Sequence, residues 1–291
     1  MRKPSQPNFN KLWLQIFEFE RKFSRFLPYS ELSRFNKTAG LDTVVSPEFH
    51  DLFTTSVTMA NRTNHLFNPF ILPALHRAGY THSAVDTYKN DYTENYEHRS
   101  VTTVNQVKIT PKSITIPANT AIDFGGIGKG YLADNLAKLP ELKSVDGFWF
   151  SIGGDIIGSG VDESGDFWKV AIQDAQNPLH TLKDDTLPQS QQFSIASSGT
   201  IVKKFSAQYK HSNTHHIIHP TTLKPATTDI LLATIMAPST CEADVLASCA
   251  VLLGSKQAKA FLQNQGINVA ILQKDNQEAT FLSNKLQGAF A

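Results

Sequence analysis

Between Asp123 and Gly130 the sequence runs Asp-Phe-Gly-Gly-Ile-Gly-Lys-Gly, four glycines within six positions, between a strand-like stretch and a helical one. Such density allows positive φ and close approach of a ligand to the backbone. The helix that follows adds unpaired N–H groups and a partial positive charge, which suit phosphate. Two familiar nucleotide loops are excluded. A Walker A loop needs G-x-x-x-x-G-K-[ST], but Asp123 fills the first glycine position and Gly130 the Ser/Thr position. No register of these glycines gives G-x-G-x-x-G. The plain alternative is a strand-to-helix turn with no ligand; a carboxylate (Asp123) and a lysine (Lys129) beside the glycines weigh against it.

Three further clusters carry chemistry. Ser151-Ile152-Gly153-Gly154-Asp155-Ile156 follows the aromatic run Phe148-Trp149-Phe150. A glycine pair with an Asp brings backbone close to a ligand or makes a bulge in a sheet, and both readings stay open. Four histidines gather at His211, His215, His216 and His219. Four-residue spacing, twice, would align His211, His215 and His219 on a helix as zinc ligands. Ile217-Ile218 before Pro220 reads instead as strand, which scatters those rings. One histidine as general base fits better, because its pKa lies near working pH; an exposed polar hairpin is the plain alternative. Finally, Asp244 and Ser248 stand one turn apart on one side of a helix. They offer hard oxygen ligands of the kind Mg²⁺ takes, although an Asp early in a helix is also an ordinary partner of the helix dipole.

The rest of the chain supplies a mixed scaffold. Leu12, Ile16, Phe19, Phe23 and Phe26 recur at helical spacing, predicting an amphipathic helix that ends before Pro28. Ser46-Pro47-Glu48 predicts a helix start with Phe49, Leu52 and Phe53 buried. Residues 86–121 alternate in short runs, with Lys112-Ser113 as a hairpin turn. Helices are expected after Gly130 and over Glu242–Leu253. Strands are expected over Phe148–Ile157, Trp168–Ile172, Ile217-Ile218, Leu231–Met236 and a closing Ile267–Gln273; residues 173–192 read as an exposed polar excursion. Strands and helices without regular alternation predict an α+β fold.

Composition narrows the partners. With 27 basic and 26 acidic residues the net charge is 27 − 26 = +1, which gives no reason to expect nucleic acid or an anionic membrane. No stretch reads as a membrane span of roughly 18 apolar residues. Cys241 and Cys249 form no disulfide framework and read as small buried hydrophobes. Met1-Arg2-Lys3 is followed by a polar run without an apolar core or cleavage site, so a cytoplasmic chain, or one trimmed of its leader, is expected.

Taken in order, Ser30–Asn36 (SELSRFN), Leu66–Pro69 (LFNP), Asp123–Tyr131 (DFGGIGKGY), Ser151–Asp155 (SIGGD), Ser194–Gly199 (SIASSG), His216–Pro220 (HIIHP) and Ala243–Ser248 (ADVLAS) together resemble the motif series of the ApbE family of FAD:protein FMN transferases, collinear from about residue 24 to about 254. The resemblance implies a T-fold-like α+β core in a single domain over residues 1–291. It also implies FAD as substrate, bound Mg²⁺, and transfer of FMN to a Thr or Ser hydroxyl of an acceptor flavoprotein with release of AMP. By the same resemblance, Asp244 and Ser248 are metal ligands, with carbonyls from Gly126 and Ala247. Asp123 and Lys129 hold the FAD, Leu66, Phe67, Asn68 and Ile218 line its pocket, His216 is the base and Asp155 supports the site. The family pattern has Asp where His219 stands, Asp for Asn68, Ala for Gly128 and Thr for Ser248. A metal-dependent FAD diphosphatase and a non-catalytic flavin-binding protein are the rival readings.

Overall fold

The computed structural model describes residues 9–81, 94–177, 179–186, 192–201, 215–275 and 279–282. His211 and part of the expected 86–121 and 173–192 segments lie outside them. Two compact units emerge, one over Leu14–Gly128 with Lys203–Ala226, the other over Met1–Trp13, Lys129–Val202 and Thr227–Ala291.

The first unit is largely helical. Helix α1 (Phe9–Phe23) ends five residues before Pro28, and from Leu14 onward it belongs to this unit. Of the expected stripe, Phe23 is buried in the core and Leu12, Ile16, Phe19 and Phe26 are half-buried, while Phe9, Trp13, Leu14 and Phe17, which lie off the stripe, are exposed. α2 (Glu31–Lys37) is capped by the Ser30 hydroxyl, which accepts from Ser33 N–H. After β1 (Thr43–Val44), α3 (Pro47–Arg62) starts as expected, with the Ser46 hydroxyl accepting from Phe49 N–H and Pro47 at the first position. Phe49, Leu52 and Phe53 are fully buried. Phe35, Phe23 and Phe124 ring Phe49 at centroid distances of 4.9, 5.9 and 5.5 Å. α4 (Leu72–Arg77) precedes the hairpin of β2 (Lys108–Ile109) and β3 (Ser113–Thr115). Sheet order is β1-β3-β2. That hairpin is shorter than its alternating sequence suggests, because Val104 lies in a 3₁₀ turn.

The second unit is built on an antiparallel sheet. α5 (Gly128–Ala137, from Lys129 in this unit) and α6 (Pro140–Lys143) lead into β4 (Gly147–Ile152) and β5 (Asp155–Gly160). The expected single strand Phe148–Ile157 is therefore two strands. Gly153 and Gly154, at φ of 60° and 100°, make the two-residue turn between them, in register Ile152↔Asp155. Two successive positive φ values are what a tight hairpin demands, so this cluster is a turn rather than a bulge. β6 (Lys169–Gln173) pairs with β7 (Thr181–Thr186), placing a hairpin where a polar excursion was expected. β8 (Gln192–Gly199) and β9 (Ile230–Ala237) form the sheet centre, and α7 (Thr240–Asn264) packs on both. β10 (Val269–Lys274) does not close the chain, since β11 (Ala279–Leu282) adds an edge. The six-stranded order is β11-β10-β9-β8-β5-β4. Among the described residues only α7 is long and apolar enough, by length and composition, to cross a membrane. It breaks helical geometry at Gly254, and residues such as Val245, Leu246 and Ala250 are fully buried, as in a core helix.

Ile217-Ile218 forms no strand. Ile218 makes an isolated bridge to Pro225 and packs with Ala74 and Leu75 in the first unit's core.

Candidate active site

In the first unit, two motif asparagines hold the backbone that enters the glycine loop. Asn36 donates to Ile122 O at 2.9 Å and accepts from Ile122 N–H at 2.8 Å, fully buried. Asp123 N–H donates to Pro69 O at 2.8 Å. Asn68 Oδ1 accepts from Phe70 N–H and its Nδ2 donates to Thr102 O at 2.8 Å. An Asp at this position would lack that donor, which gives the Asn its own structural work. Phe67 is buried and its ring lies 3.5 Å from where a Cβ on Gly126 would stand. A cavity of about 310 Å³ is lined by Leu66, Asn68, Val101, Thr102, Pro220 and Leu223 among others. The structure thus brings Leu66 and Asn68 to one hollow, whereas Phe67 and Ile218 pack into the protein.

The histidines separate into distinct jobs. His215 uses both ring nitrogens locally, Nε2 toward Ala226 O and Nδ1 toward Ile217 N–H. Burial lowers its pKa, so the neutral ring that can both donate and accept is favoured. That leaves no nitrogen for zinc. His219 Nδ1 accepts from Thr221 N–H at 3.2 Å, closing a turn as an Asp carboxylate would two residues upstream of its donor. The ring of His216 lies 6.2 Å from that of Tyr80.

In the second unit Lys129, Asp155 and Asp244 converge from α5, β5 and α7. The Lys129 ammonium bonds Asp155 Oδ2 and reaches Asp244 Oδ2 at 3.0 Å. The Asp155 and Asp244 side chains are only 1% and 3% exposed. Such deep burial removes Asp244 from the role of an exposed dipole partner. Burial, reinforced by the Asp244 charge, pushes the Asp155 carboxyl up to about 7 against the pull of Lys129. Burial pulls the Lys129 ammonium down, but Asp244 and Asp155 together hold it above the usual lysine range. With Asp155 ionised, two carboxylates against one ammonium leave one negative charge over. Asp155 Oδ1 is also buried and makes no well-formed hydrogen bond, with the Ser197 backbone N–H as its neighbour. Ser248, one turn after Asp244, shares a 2.9 Å hydroxyl contact with Ser198 of β8. Among the described residues no group of three or more His, Cys, Asp or Glu assembles. Asp244, the second oxygen of Asp155 and the Ser248 hydroxyl are hard oxygen donors of the kind Mg²⁺ takes, its remaining ligands coming from substrate and water.

The glycines of the Asp123 loop do not take up the positive φ expected of them. None of Gly125, Gly126, Gly128 or Gly130 has positive φ. Gly130 is there for space, since a Cβ would stand 2.4 Å from Thr240 O and 2.6 Å from Cys241 Cα. The same crossing is fixed by Asp134, whose carboxylate oxygens accept from Thr240 and Cys241 N–H at 2.8 and 2.9 Å. Asp134 thereby caps the start of the helix that carries Asp244 and Ser248. Sequence reasoning passed over Asp134, because an Asp inside one helix gives no sign that it caps another. It also passed over Arg25, which has no motif signal.

With these contacts in place, the sequence model described as the ApbE family matches residues 8–272. This chain belongs to the ApbE family. One family match therefore runs through both compact units. Among its relatives, the FAD:protein FMN transferase of Escherichia coli strain K12 is 24% identical over 279 residues, covering 91% of this chain and 76% of that protein. That of Treponema pallidum is 29% identical over 252 residues, covering 80% and 68%. Among solved structures, an ApbE protein from Thermotoga maritima superposes with a TM-score of 0.80 at 20% identity, covering 99% of this chain and 93% of that one. The flavin transferase ApbE from Vibrio cholerae gives 0.77 at 20%, with the same coverage. The ApbE fold, a mixture of helices and several sheets, is that of this chain.

Proposed function

We propose that this chain is an FAD:protein FMN transferase, which moves the FMN part of FAD onto a Thr or Ser hydroxyl of an acceptor flavoprotein. Membership of the ApbE family over residues 8–272 carries the reading, because relatives matching most of the chain have that activity as their name. In the step, the acceptor hydroxyl oxygen forms a bond to the FMN phosphorus. The bond from that phosphorus to the bridging oxygen breaks, and AMP leaves with that oxygen. The hydroxyl proton passes to a base, for which His216 is proposed.

A Mg²⁺ ion held by Asp244 and Ser248, with the carbonyl of Ala247, would neutralise charge on the diphosphate. The burial of Asp244 and the unspent oxygen of Asp155 support a cation there. Lys129 is proposed to meet the FAD phosphates with a charge that the neighbouring carboxylates keep fully protonated. Leu66 and Asn68, which share a hollow, are proposed to face the flavin nucleotide, while Asp123, Phe67 and Ile218 hold its surroundings in shape. The reading keeps enzyme and acceptor in the cytoplasm, where Cys241 and Cys249, both buried free thiols, stay reduced.

The test is incubation with FAD, Mg²⁺ and a candidate acceptor while AMP, FMN and acceptor-bound flavin fluorescence are followed. Covalent flavin on the acceptor is the expected outcome. AMP and FMN released with the acceptor unlabelled would make the chain a diphosphatase, and tight FAD binding without turnover a flavin-binding protein.

A further inference from the structure

Arg25 lies just beyond α1, in no motif, yet its side chain is only 6% exposed. Its Nη1 donates to Asp123 Oδ2 at 2.6 Å, and that oxygen also accepts from Gly125 N–H at 3.0 Å. A Cβ on Gly125 would stand 2.7 Å from the same oxygen, so the ion pair sits folded over the loop. The guanidinium carbon is 4.6 Å from the ring centroid of Phe26 and 4.4 Å from that of Tyr80. Tyr80 in turn meets the ring of His216 at 6.2 Å, tilted by 54°. Nε and Nη2 are buried without hydrogen-bond partners.

A buried guanidinium with donors left over is a poor way to stabilise a fold, since an apolar pair of similar volume does as well or better. What it does provide is a rigid plane with one edge on a carboxylate and its faces against aromatic rings. We infer that Arg25 is a positioning residue, which sets the Asp123–Gly125 loop with its charge and the Tyr80–His216 ring pair with its plane. The inference rests on the proposed transferase reading, in which the loop region meets FAD and His216 takes the proton. Arg25 itself touches neither reacting group; its burial under the rings keeps it from substrate.

The two arms separate by substitution. Arg25→Lys keeps the charge, and so the pairing with Asp123, but gives up the plane. In the acceptor assay its KM for FAD should stay within about threefold of the parent while kcat falls about tenfold or more, the cost of a misplaced catalytic group. In a His216→Ala background the same change should lower kcat no further. Arg25→Met removes both arms and strands the Asp123 carboxylate, so KM should rise as well if that variant folds. Independently of turnover, Arg25→Lys should shift the His216 ring resonances in NMR spectra of the FAD-free protein, while hydrogen exchange at the Gly125 amide stays slow. Unchanged His216 resonances, or a kcat loss that repeats in full in the His216→Ala background, would overturn the inference. Shifted resonances in a parent that neither binds FAD nor transfers FMN would sink the transferase reading and leave the positioning role standing.

Discussion

The two units each bury a carboxylate against a cation, and they leave opposite debts. With both carboxyls ionised, Asp155–Lys129–Asp244 has more negative charge than one ammonium can balance, and Asp155 Oδ1 takes no part in the ion pair. Asp123–Arg25 balances charge one to one, and what it leaves over is donors, shut beneath Phe26 and Tyr80. A lysine is a point charge on a flexible stem and can be shared between oxygens; an arginine is a plane that fixes direction. The first arrangement therefore keeps negative charge in surplus, which is what the proposed Mg²⁺ would meet. The second is closed, and acts by holding its neighbours still.

The sharpest break in this comparison is Asp244→Ala. It should reduce Mg²⁺-dependent AMP release by about 10³-fold, the scale of losing a key electrostatic group at a reacting centre. The metal-free protein should melt near the parent temperature, because one carboxylate then faces one ammonium. Turnover equal to the parent would remove Asp244 from the cation site.

Lys129→Met attacks the charge balance from the other side. Two buried carboxylates without their cation should lower stability in chelator by about 3 kcal/mol, measured by urea unfolding. Mg²⁺ should restore part of that loss, while it should do nothing for Arg25→Met.

The pH dependence follows from Asp155. Its carboxyl titrates near 7 in the folded protein, well above an ordinary Asp, so the folded state holds its proton more tightly than the unfolded one. Metal-free stability should accordingly fall as pH rises from about 4 to about 7, the reverse of a carboxylate stabilised by its partner. Asp155→Asn should flatten that slope in unfolding curves collected across the window. A slope that survives the substitution would assign it to another group.

The smallest effect tests the neighbouring hydroxyl. Ser248→Ala loses its 2.9 Å contact with Ser198, worth about 1 kcal/mol or less. If Ser248 also serves a cation, half-maximal turnover should need several-fold more Mg²⁺; an unchanged titration would leave it a purely structural link.

Local features of the fold were readable where the physics is local. Ser46-Pro47 starts α3 because a hydroxyl cap and a missing N–H are needed at those positions whatever the tertiary structure. That Asp244 and Ser248 stand one turn apart on one helix followed from helical spacing alone. Elements that depend on distant partners were misread. β7 and β11 have unremarkable sequences and become strands because β6 and β10 offer edges. Ile217-Ile218 reads as strand, yet only an isolated bridge forms there. Of the glycine loop's expected features, positive φ is absent, and at Gly130 the missing side chain makes space for the backbone of α7.

By itself the sequence determined the α+β class, the family and most of the residues worth testing, because seven short motifs keep their order along the chain. Only the tertiary structure decided how those residues are spent. Lys129 and Asp244 are 115 positions apart and meet because a helix and a sheet bury them together. Arg25 and Asp123, 98 positions apart, meet because a phenylalanine core draws the end of α1 over the loop. Burial turns an ordinary carboxylate into one that titrates near 7, and no pattern of letters carries the dielectric that does so.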